Sequence, residues 1–439
     1  MNKNNFGKGI VRSAIALTLV LCTLLSLTSC VISFPGIQRI PESSVAHIVS
    51  ESGELPDFDR NVLYLIETCF DDYYYTDIPD NETLARGTID AYNEFCREEI
   101  ESTDADRDAI THAIVDCYIY SIGDKYSFYR TKDESEEYST DMSGSFVGIG
   151  VSVIRNDLES TILVQSVEIG SPAEKGGIKA DDYIVGVNGE RVSEIGTAET
   201  VNKIRGEIGT EVTVTVLRGE EEIDITMVRA KITETTVSHK LIEDGRIGYI
   251  RITGFKSNTA AQFIDTVNAC EEAGVEGIIF DLRSNPGGYL DAVVSMLSYL
   301  VPSDTPIVSF SSDKAAIDAS HGDGFEQTDH KITVPSAILC NENSASAAEL
   351  FTAAMRDYDD MGLLTATVIG TVTYKKGIMQ STIPFSNGAS LTLTTALYNP
   401  PSGINFHGVG VTPDVLIESG LDEDYMSAAI AALSSAKEI

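Results

Sequence analysis

The sequence predicts an α/β (α+β) multidomain chain: a small helical segment, then a strand-rich segment, then a layered α/β core. Three observations carry that class. Between Phe58 and Lys132 apolar residues recur at helical spacing, as in Val62, Leu65, Ile66 and Cys69, and again in Ile110, Ile114, Cys117 and Tyr118. From Gly144 the period falls to two, in short runs such as Val212-Thr213-Val214-Thr215-Val216. After Thr235 strand-like and helix-like stretches alternate, the order of a layered α/β domain. With 439 residues and a 43% hydrophobic share, the chain has apolar surface enough for more than one core.

Charge excludes one class of partner. Lys and Arg total 31 against 67 Asp and Glu, a formal net charge of −36, which repels nucleic acid and other polyanions and leaves a polypeptide as the fitting partner.

Lys3, Lys8 and Arg12 precede an apolar run from Ala14 to Leu27 that closes on Thr28-Ser29-Cys30. A basic head before such a run marks residues 1–30 as a signal peptide, and its close resembles the lipobox of bacterial lipoproteins. That resemblance implies cleavage before Cys30, lipid on its thiol, and an extracytoplasmic place on the bacterial cell membrane. An uncleaved anchor helix is the alternative, although the Thr- and Ser-interrupted run barely spans a bilayer. Residues 31–57, polar and holding Pro35, Pro41 and Pro56, read as a tether, and residues 58–140 as the helical domain. Cys69, Cys96, Cys117, Cys270 and Cys340 show neither C-x-x-C nor ligand spacing, so no metal is expected. Buried thiols, or one disulfide among the first three, fit that pattern.

In the middle segment, Gly170-Ser171-Pro172-Ala173-Glu174-Lys175-Gly176-Gly177-Ile178, continued by Asp182-Tyr183-Ile184 and Asn188-Gly189-Glu190, resembles a PDZ domain over residues 144–231. The resemblance implies a groove that takes an extended peptide as an added strand and catches its terminal carboxylate on backbone amides. Phe146-Val147-Gly148-Ile149-Gly150 is the candidate loop; a glycine-containing edge strand without a ligand is the other reading.

The last segment reads as a strand at Ile247–Ile252, a helix at Thr259–Ala273 and a strand at Gly277–Leu282. The turn Arg283-Ser284-Asn285-Pro286-Gly287-Gly288 and a helix at Tyr289–Leu300 follow. A strand feeding a Gly-Gly turn and a helix can aim backbone amides at an anion. Residues 303–333 form a polar excursion, and a strand at Val334–Leu339 delivers Ser346. A serine hydroxyl needs a base, and a lysine made neutral by burial can serve. Small neighbours Ala345 and Ala347 leave Ser346 accessible at the start of a helix. If Lys376 to Gln380 is a strand, positions 376, 378 and 380 share a face, and Gln380 can orient the lysine amine. His321, His330 and His407 show no partner pattern.

Arg283-x-Asn285-Pro286-Gly287-Gly288, Ser344-Ala345-Ser346-Ala347-x-Glu349 and Lys376-Gly377-x-x-Gln380 resemble the carboxyl-terminal processing (tail-specific) serine proteases. So do the order of segments and the closing Gly403-Ile404-x-x-His407-Gly408-Val409-Gly410-Val411-Thr412-Pro413-Asp414. The resemblance implies a crotonase-like α/β protease core over residues 235–430 and an endopeptidase that recognises protein C-termini through its PDZ domain. It assigns Ser346 as nucleophile, Lys376 as general base, Gln380 as its positioning group, and amides at Gly287, Gly288 and Ala347 as the oxyanion hole. No cofactor is called for. The oligomeric state is left open, a homodimer among the alternatives. The chain departs from the family pattern at Ala348, usually Ser, and at Lys375, usually Gly. Its Ser346-to-Lys376 spacing is about five residues longer, and an Arg usual in that connection is absent, which a loop can absorb. Two other readings of the same motifs are a non-catalytic peptide-binding scaffold and an enzyme whose PDZ domain holds Lys376 away from Ser346 until a tail binds.

Overall fold

The computed structural model describes residues 40–103, 105–156, 160–312 and 330–436. The expected signal peptide, Cys30 and His321 lie outside the described residues. Among the described residues no helix is long and apolar enough to cross a membrane.

The chain enters through α1 (Val45–Glu51), where a tether was expected. Seven residues show too little periodicity to be read as a helix, and an isolated helix of that length is unstable in water. Tertiary contacts make it: Val45, Ala46 and Val49 are buried, and the Glu67 carboxylate accepts from Val45 N at 3.1 Å and Ala46 N at 3.3 Å. Then come α2 (Arg60–Tyr73), α3 (Asn81–Ala91), a π turn at Tyr92–Cys96, α4 (Arg97–Thr103) and α5 (Arg107–Ile122). Asp59, Asp80 and Asp106 cap α2, α3 and α5 through side-chain oxygens, and Gly123 at φ 86° ends α5. Cys96 and Cys117 form no disulfide; their thiols are hydrogen-bonded with the sulfurs 3.6 Å apart. β1 (Phe128–Arg130) and α6 (Lys132–Met142) complete the segment.

β2 (Ser145–Gly148) begins the PDZ region, followed by β3 (Val151–Asn156), β4 (Thr161–Val167), α7 (Pro172–Gly176), β5 (Tyr183–Val187), β6 (Glu190–Arg191), α8 (Val192–Ile195), α9 (Thr197–Ile204), β7 (Glu211–Arg218), β8 (Glu221–Val228) and β9 (Ala230–Thr233). The sheet order is β3-β4-β5-β7-β8, with β6 beside β5. The expected binding loop is only partly a loop. Phe146, Val147 and Gly148 lie in β2, paired with Ile232, Lys231 and Ala230 of β9, a partner too distant in sequence to read locally. Ile149 and Gly150 make the turn: Gly150 has φ 83°, its carbonyl accepts from Glu168 N at 3.0 Å, and Ile149 O accepts from Ala173 N at 2.8 Å. β3 pairs only with β4, leaving its outer edge open among the described residues.

The last segment holds β10 (Val237–Ile242), β11 (Ile247–Ile252), α10 (Thr259–Glu272), β12 (Gly277–Asp281), α11 (Leu290–Leu300), β13 (Ser309–Ser311), β14 (Ser336–Cys340), α12 (Ala347–Asp360), β15 (Ala366–Gly370), β16 (Ile378–Pro384), β17 (Ser390–Asn399), β18 (Val415–Leu416) and α13 (Asp422–Ser435). Its main sheet runs β10-β11-β12-β14-β15-β18, parallel except for the β10–β11 pair. Register stacks Ile250, Phe280, Ile338 and Val368 in one row, all fully buried under α10, α11 and α12. Ile279, Ala337, Leu339 and Ile369 point the other way, onto α13. Both faces are covered, which is why β12 and β14 read as continuous apolar runs.

β16 and β17 belong to a second sheet with β1 and β13, and they reassign the helical segment. Ile383, Phe385, Leu391 and Leu393 share one core with Leu63, Phe70 and Tyr118, so a cut at residue 140 separates in sequence what packing joins. Both linkers of the PDZ region are tied to the loop after β11. Asn258 Nδ2 donates to Gly144 O and Glu234 O, both at 2.9 Å, and Lys256 Nζ pairs with Asp141 at 2.8 Å and Glu234 at 2.7 Å.

Candidate active site

β14 ends at Cys340, and the chain turns through Asn341–Ser346 before α12. Ser344 locks that turn: its Oγ donates to Leu282 O at 2.8 Å and accepts from Asn341 N at 2.9 Å, and it is fully buried. Its hydroxyl is thus committed to structure. Ser346 differs. It holds φ 56° and ψ −115°, a region that a residue with a Cβ rarely adopts and that costs about 1–3 kcal/mol. Its side chain is only partly buried at the positive end of α12.

What holds that conformation is Glu349, itself fully buried. Its Oε2 accepts from Ser346 N at 2.9 Å and Lys376 N at 2.7 Å; its Oε1 accepts from Thr373 Oγ1 at 2.5 Å and Lys375 N at 2.6 Å. One carboxylate therefore clasps the backbone of the serine turn to the backbone of the lysine segment. Charge-assisted bonds of this kind are the stronger ones, and four of them satisfy both oxygens.

Lys376 and Gly377 lie in coil before β16, not on a strand as expected, and a bulge between Met379 and Gln380 breaks the alternation that was to align positions 376, 378 and 380. Gln380 stands opposite Thr394 on β17, and its Nε2 is buried without a partner among the described residues. The Lys376 amine lies 5.0 Å from the centroid of the Tyr126 ring. Burial pushes it below the ordinary lysine range, against the opposing pull of Asp124 and Glu349. Tyr398 touches both sides of the site: its hydroxyl donates to Lys376 O at 2.8 Å and lies 3.4 Å from Ser346 Oγ. Burial pushes its pKa up, so the phenol stays protonated.

The Gly287-Gly288 turn abuts the serine. A Cβ on Gly287, at φ 95°, would come within 2.8 Å of Ser346 Cβ and 3.0 Å of Ala347 N; one on Gly288 would come within 2.2 Å of Phe255 O. Neither position accepts a side chain. Gly287 N donates to Asn285 Oδ1 at 2.9 Å and is engaged. Gly288 N and Ala347 N have no hydrogen-bond acceptor among the described residues, so these two amides, rather than all three expected, are free to meet an oxyanion. Beneath the turn, Asp281 accepts from Arg251 Nη1 at 2.8 Å, Arg283 Nη2 at 2.6 Å and Tyr249 Oη at 2.5 Å. Although burial acts to raise its pKa, Arg283 and Arg251 hold this carboxylate below its ordinary range.

The connection expected to be longer than the family pattern lies away from Ser346. α12 carries Ser346 at its start, and the residues after Asp360 form the turn at its far end, about 20 Å along a 14-residue helix. There Leu363 N closes onto Tyr358 O at 2.9 Å, and Ala366 N onto Asp359 Oδ1 at 3.0 Å.

Lys375 explains its own departure. It has φ 82°, the left-handed region where glycine costs nothing. Lys375→Gly should therefore relieve strain of about 1–2 kcal/mol, offset in part by the greater freedom of an unfolded glycine. A net gain below about 1 kcal/mol in chemical denaturation is expected, with activity retained; a loss of stability would show that the exposed side chain contributes packing.

Sequence reasoning passed over Tyr398, Tyr126 and Asp124, which carry no local motif, and set His407 aside. Glu349 was visible as a family-matching acid but not as the clasp.

Residues 246–417 match peptidase family S41, and residues 138–217 match the PDZ domain. A CtpA-like serine protease of Staphylococcus aureus (strain N315) is 37% identical over 316 residues, 72% of this chain and 61% of that protein. Its counterpart in Staphylococcus haemolyticus (strain JCSC1435) is 37% identical over 312 residues, 71% of this chain and 60% of the relative. The chain thus spans less than two thirds of the relatives it matches. Among solved structures, a photosystem II D1 C-terminal processing protease aligns over 85% of this chain and 97% of its own, at 22% identity and a TM-score of 0.48.

Proposed function

This chain belongs to peptidase family S41, its peptidase domain preceded by a PDZ domain, and from that premise we propose that it is an extracytoplasmic serine endopeptidase acting through an acyl-enzyme on Ser346. The observation that carries the reading is the Glu349 clasp, which brings the backbone of Ser346 and that of Lys376 onto one buried carboxylate beside two open amides.

In the reaction, neutral Lys376 takes the Ser346 proton as Oγ bonds to the scissile carbonyl carbon. The carbonyl oxygen, now negative, faces the N–H groups of Ala347 and Gly288. Collapse of the tetrahedral adduct breaks the C–N bond, and the leaving amine takes the proton back from Lys376. Water, deprotonated by Lys376, then attacks the acyl carbon, and the bond to Ser346 Oγ breaks as that oxygen takes the proton back from Lys376. Substrate tails fit the open edge of β3 as an added strand, with a terminal carboxylate near the Ile149-Gly150 turn. The basic and apolar start of the chain and Cys30 support export and a lipid anchor.

One observation favours a gated form of this enzyme. Among the described residues no hydrogen bond joins Lys376 Nζ to Ser346 Oγ; the amine rests over Tyr126. Substrate on the PDZ domain would then close the remaining gap between Ser346 Oγ and the amine, which stays against the Tyr126 ring.

The test is labelling by a serine-directed fluorophosphonate probe with and without a peptide bearing a free C-terminus. Labelling at Ser346 is expected, stronger with the peptide and weaker when the peptide is amidated at its end. A protein that binds the peptide yet never labels would be a scaffold rather than an enzyme.

A further inference from the structure

Lys376 is completed from the other end of the chain. The turn after α5 is drawn onto β17 by Ser127, whose Oγ donates to Asp124 Oδ2 at 2.5 Å and accepts from Thr394 N at 2.9 Å. Asp124 Oδ1 also accepts from Tyr126 N at 2.9 Å, so this buried carboxylate fixes the backbone that carries Tyr126. The Tyr126 ring then lies 5.0 Å from Lys376 Nζ on one count and 6.1 Å from the His407 ring, edge to face, on another. The His407 backbone is fixed in turn: its main-chain N–H donates to Asn405 Oδ1 at 2.7 Å, and a Cβ on Gly377 would come within 2.8 Å of that nitrogen. His407 Nδ1 is buried and has no partner among the described residues.

We propose that Tyr126 is the positioning residue of the Lys376 amine, held by Asp124 and backed by His407, so that the N-terminal helical segment completes the active site. The inference rests on the reading of Lys376 as general base. The ring lies against the amine and shields it from water. Tyr126 lies against this amine, Asp124 from the turn and Glu349 from α12 act on its charge, and His407 from the closing loop is coupled to it. Lys125 lies over the Tyr126 ring, Tyr398 from β17 bonds the Lys376 carbonyl, and Lys375 is next to it in the chain. Burial and Lys125 push His407 below the ordinary histidine range, which keeps its ring a neutral wall behind Tyr126. Two influences act in opposite directions on the amine: burial, to which the Tyr126 ring contributes by contact, disfavours the ammonium, whereas the Asp124 carboxylate favours it.

That opposition supplies the test, made on the full chain with folding checked by thermal melting. The pH midpoint of Lys376 labelling by an amine-directed reagent, located by peptide mapping, is measured beside cleavage of an unstructured test protein. Tyr126→Ala should move the midpoint to higher pH and lower kcat about tenfold near neutrality with little change in KM, since one unit of midpoint is tenfold in neutral amine. Tyr126→Phe should restore both, and Asp124→Asn should move the midpoint to lower pH. A folded Tyr126→Ala protein with an unmoved midpoint, or no rescue by Tyr126→Phe, overturns the assignment. Labelling reads Lys376 whether or not the protein cleaves anything. A parent protein without cleavage would therefore count against the peptidase reading, while the midpoints still decide the role of Tyr126.

Discussion

Lys376→Ala should lower kcat/KM by on the order of ten-thousandfold, and Ser346→Ala by at least as much, with neither protein unfolded. Without a base, the hydroxyl of Ser346 is a poor nucleophile, and the amides of Gly288 and Ala347 can stabilise only an adduct that no longer forms. Stability should move the other way. Burial holds the Lys376 amine below its unfolded value, so the unfolded chain binds that proton more tightly. Folding stability from this group is therefore lowest below the folded value and rises with pH up to the ordinary lysine range. At neutral pH Lys376→Ala should melt no lower than the parent, and the parent's gain in melting temperature on raising the pH should shrink in the variant. Activity should follow the same ionisation, rising with pH along a limb below the ordinary lysine range. A Lys376→Ala protein that keeps a tenth of the parental rate would sink the assignment of the base.

Glu349→Gln is expected to have the second largest effect, and on two readouts at once. The carboxylate accepts four donors, two on each oxygen. Glutamine keeps one acceptor oxygen and turns an NH2 toward two N–H or O–H groups that themselves donate. Leaving those donors unsatisfied in a fully buried site should cost about 3–5 kcal/mol in chemical denaturation. Because the same bonds set the distance between the serine and lysine segments, kcat should fall by at least about a hundredfold in protein that remains folded. Glu349→Asp tests geometry apart from charge: the shorter arm keeps the charge but cannot reach both segments, so it should also lose activity. Parental stability in Glu349→Gln would mean that the clasp contributes little.

The main sheet was legible because β12 and β14 are covered on both faces, and their unbroken apolar runs announce that burial. The Gly287-Gly288 turn was legible for a related reason: only glycine fits where a Cβ would strike Phe255 O or Ser346 Cβ. The helix α1 was not legible, since its stability comes from Glu67 and a core that other elements build. Nor was the coil at Lys376, because the bulge at Met379 and Gln380 depends on the register of β17.

By itself the sequence determined the order of parts and the residue types able to do chemistry: Ser346 beside small neighbours, Lys376 after it, glycines where no side chain fits, and an acidic chain whose start is basic and then apolar. Those properties are local, set by spacing and by what each side chain can donate or accept. Only the tertiary structure decided which groups meet. It put Tyr126 and Asp124 against Lys376, made Glu349 the clasp and brought Tyr398 to both reacting segments. It also engaged Gly287 N while leaving Gly288 N and Ala347 N open. The physical reason is that these contacts join residues far apart along the chain through buried polar bonds, whose worth depends on exclusion of water, a property that no local window of sequence contains.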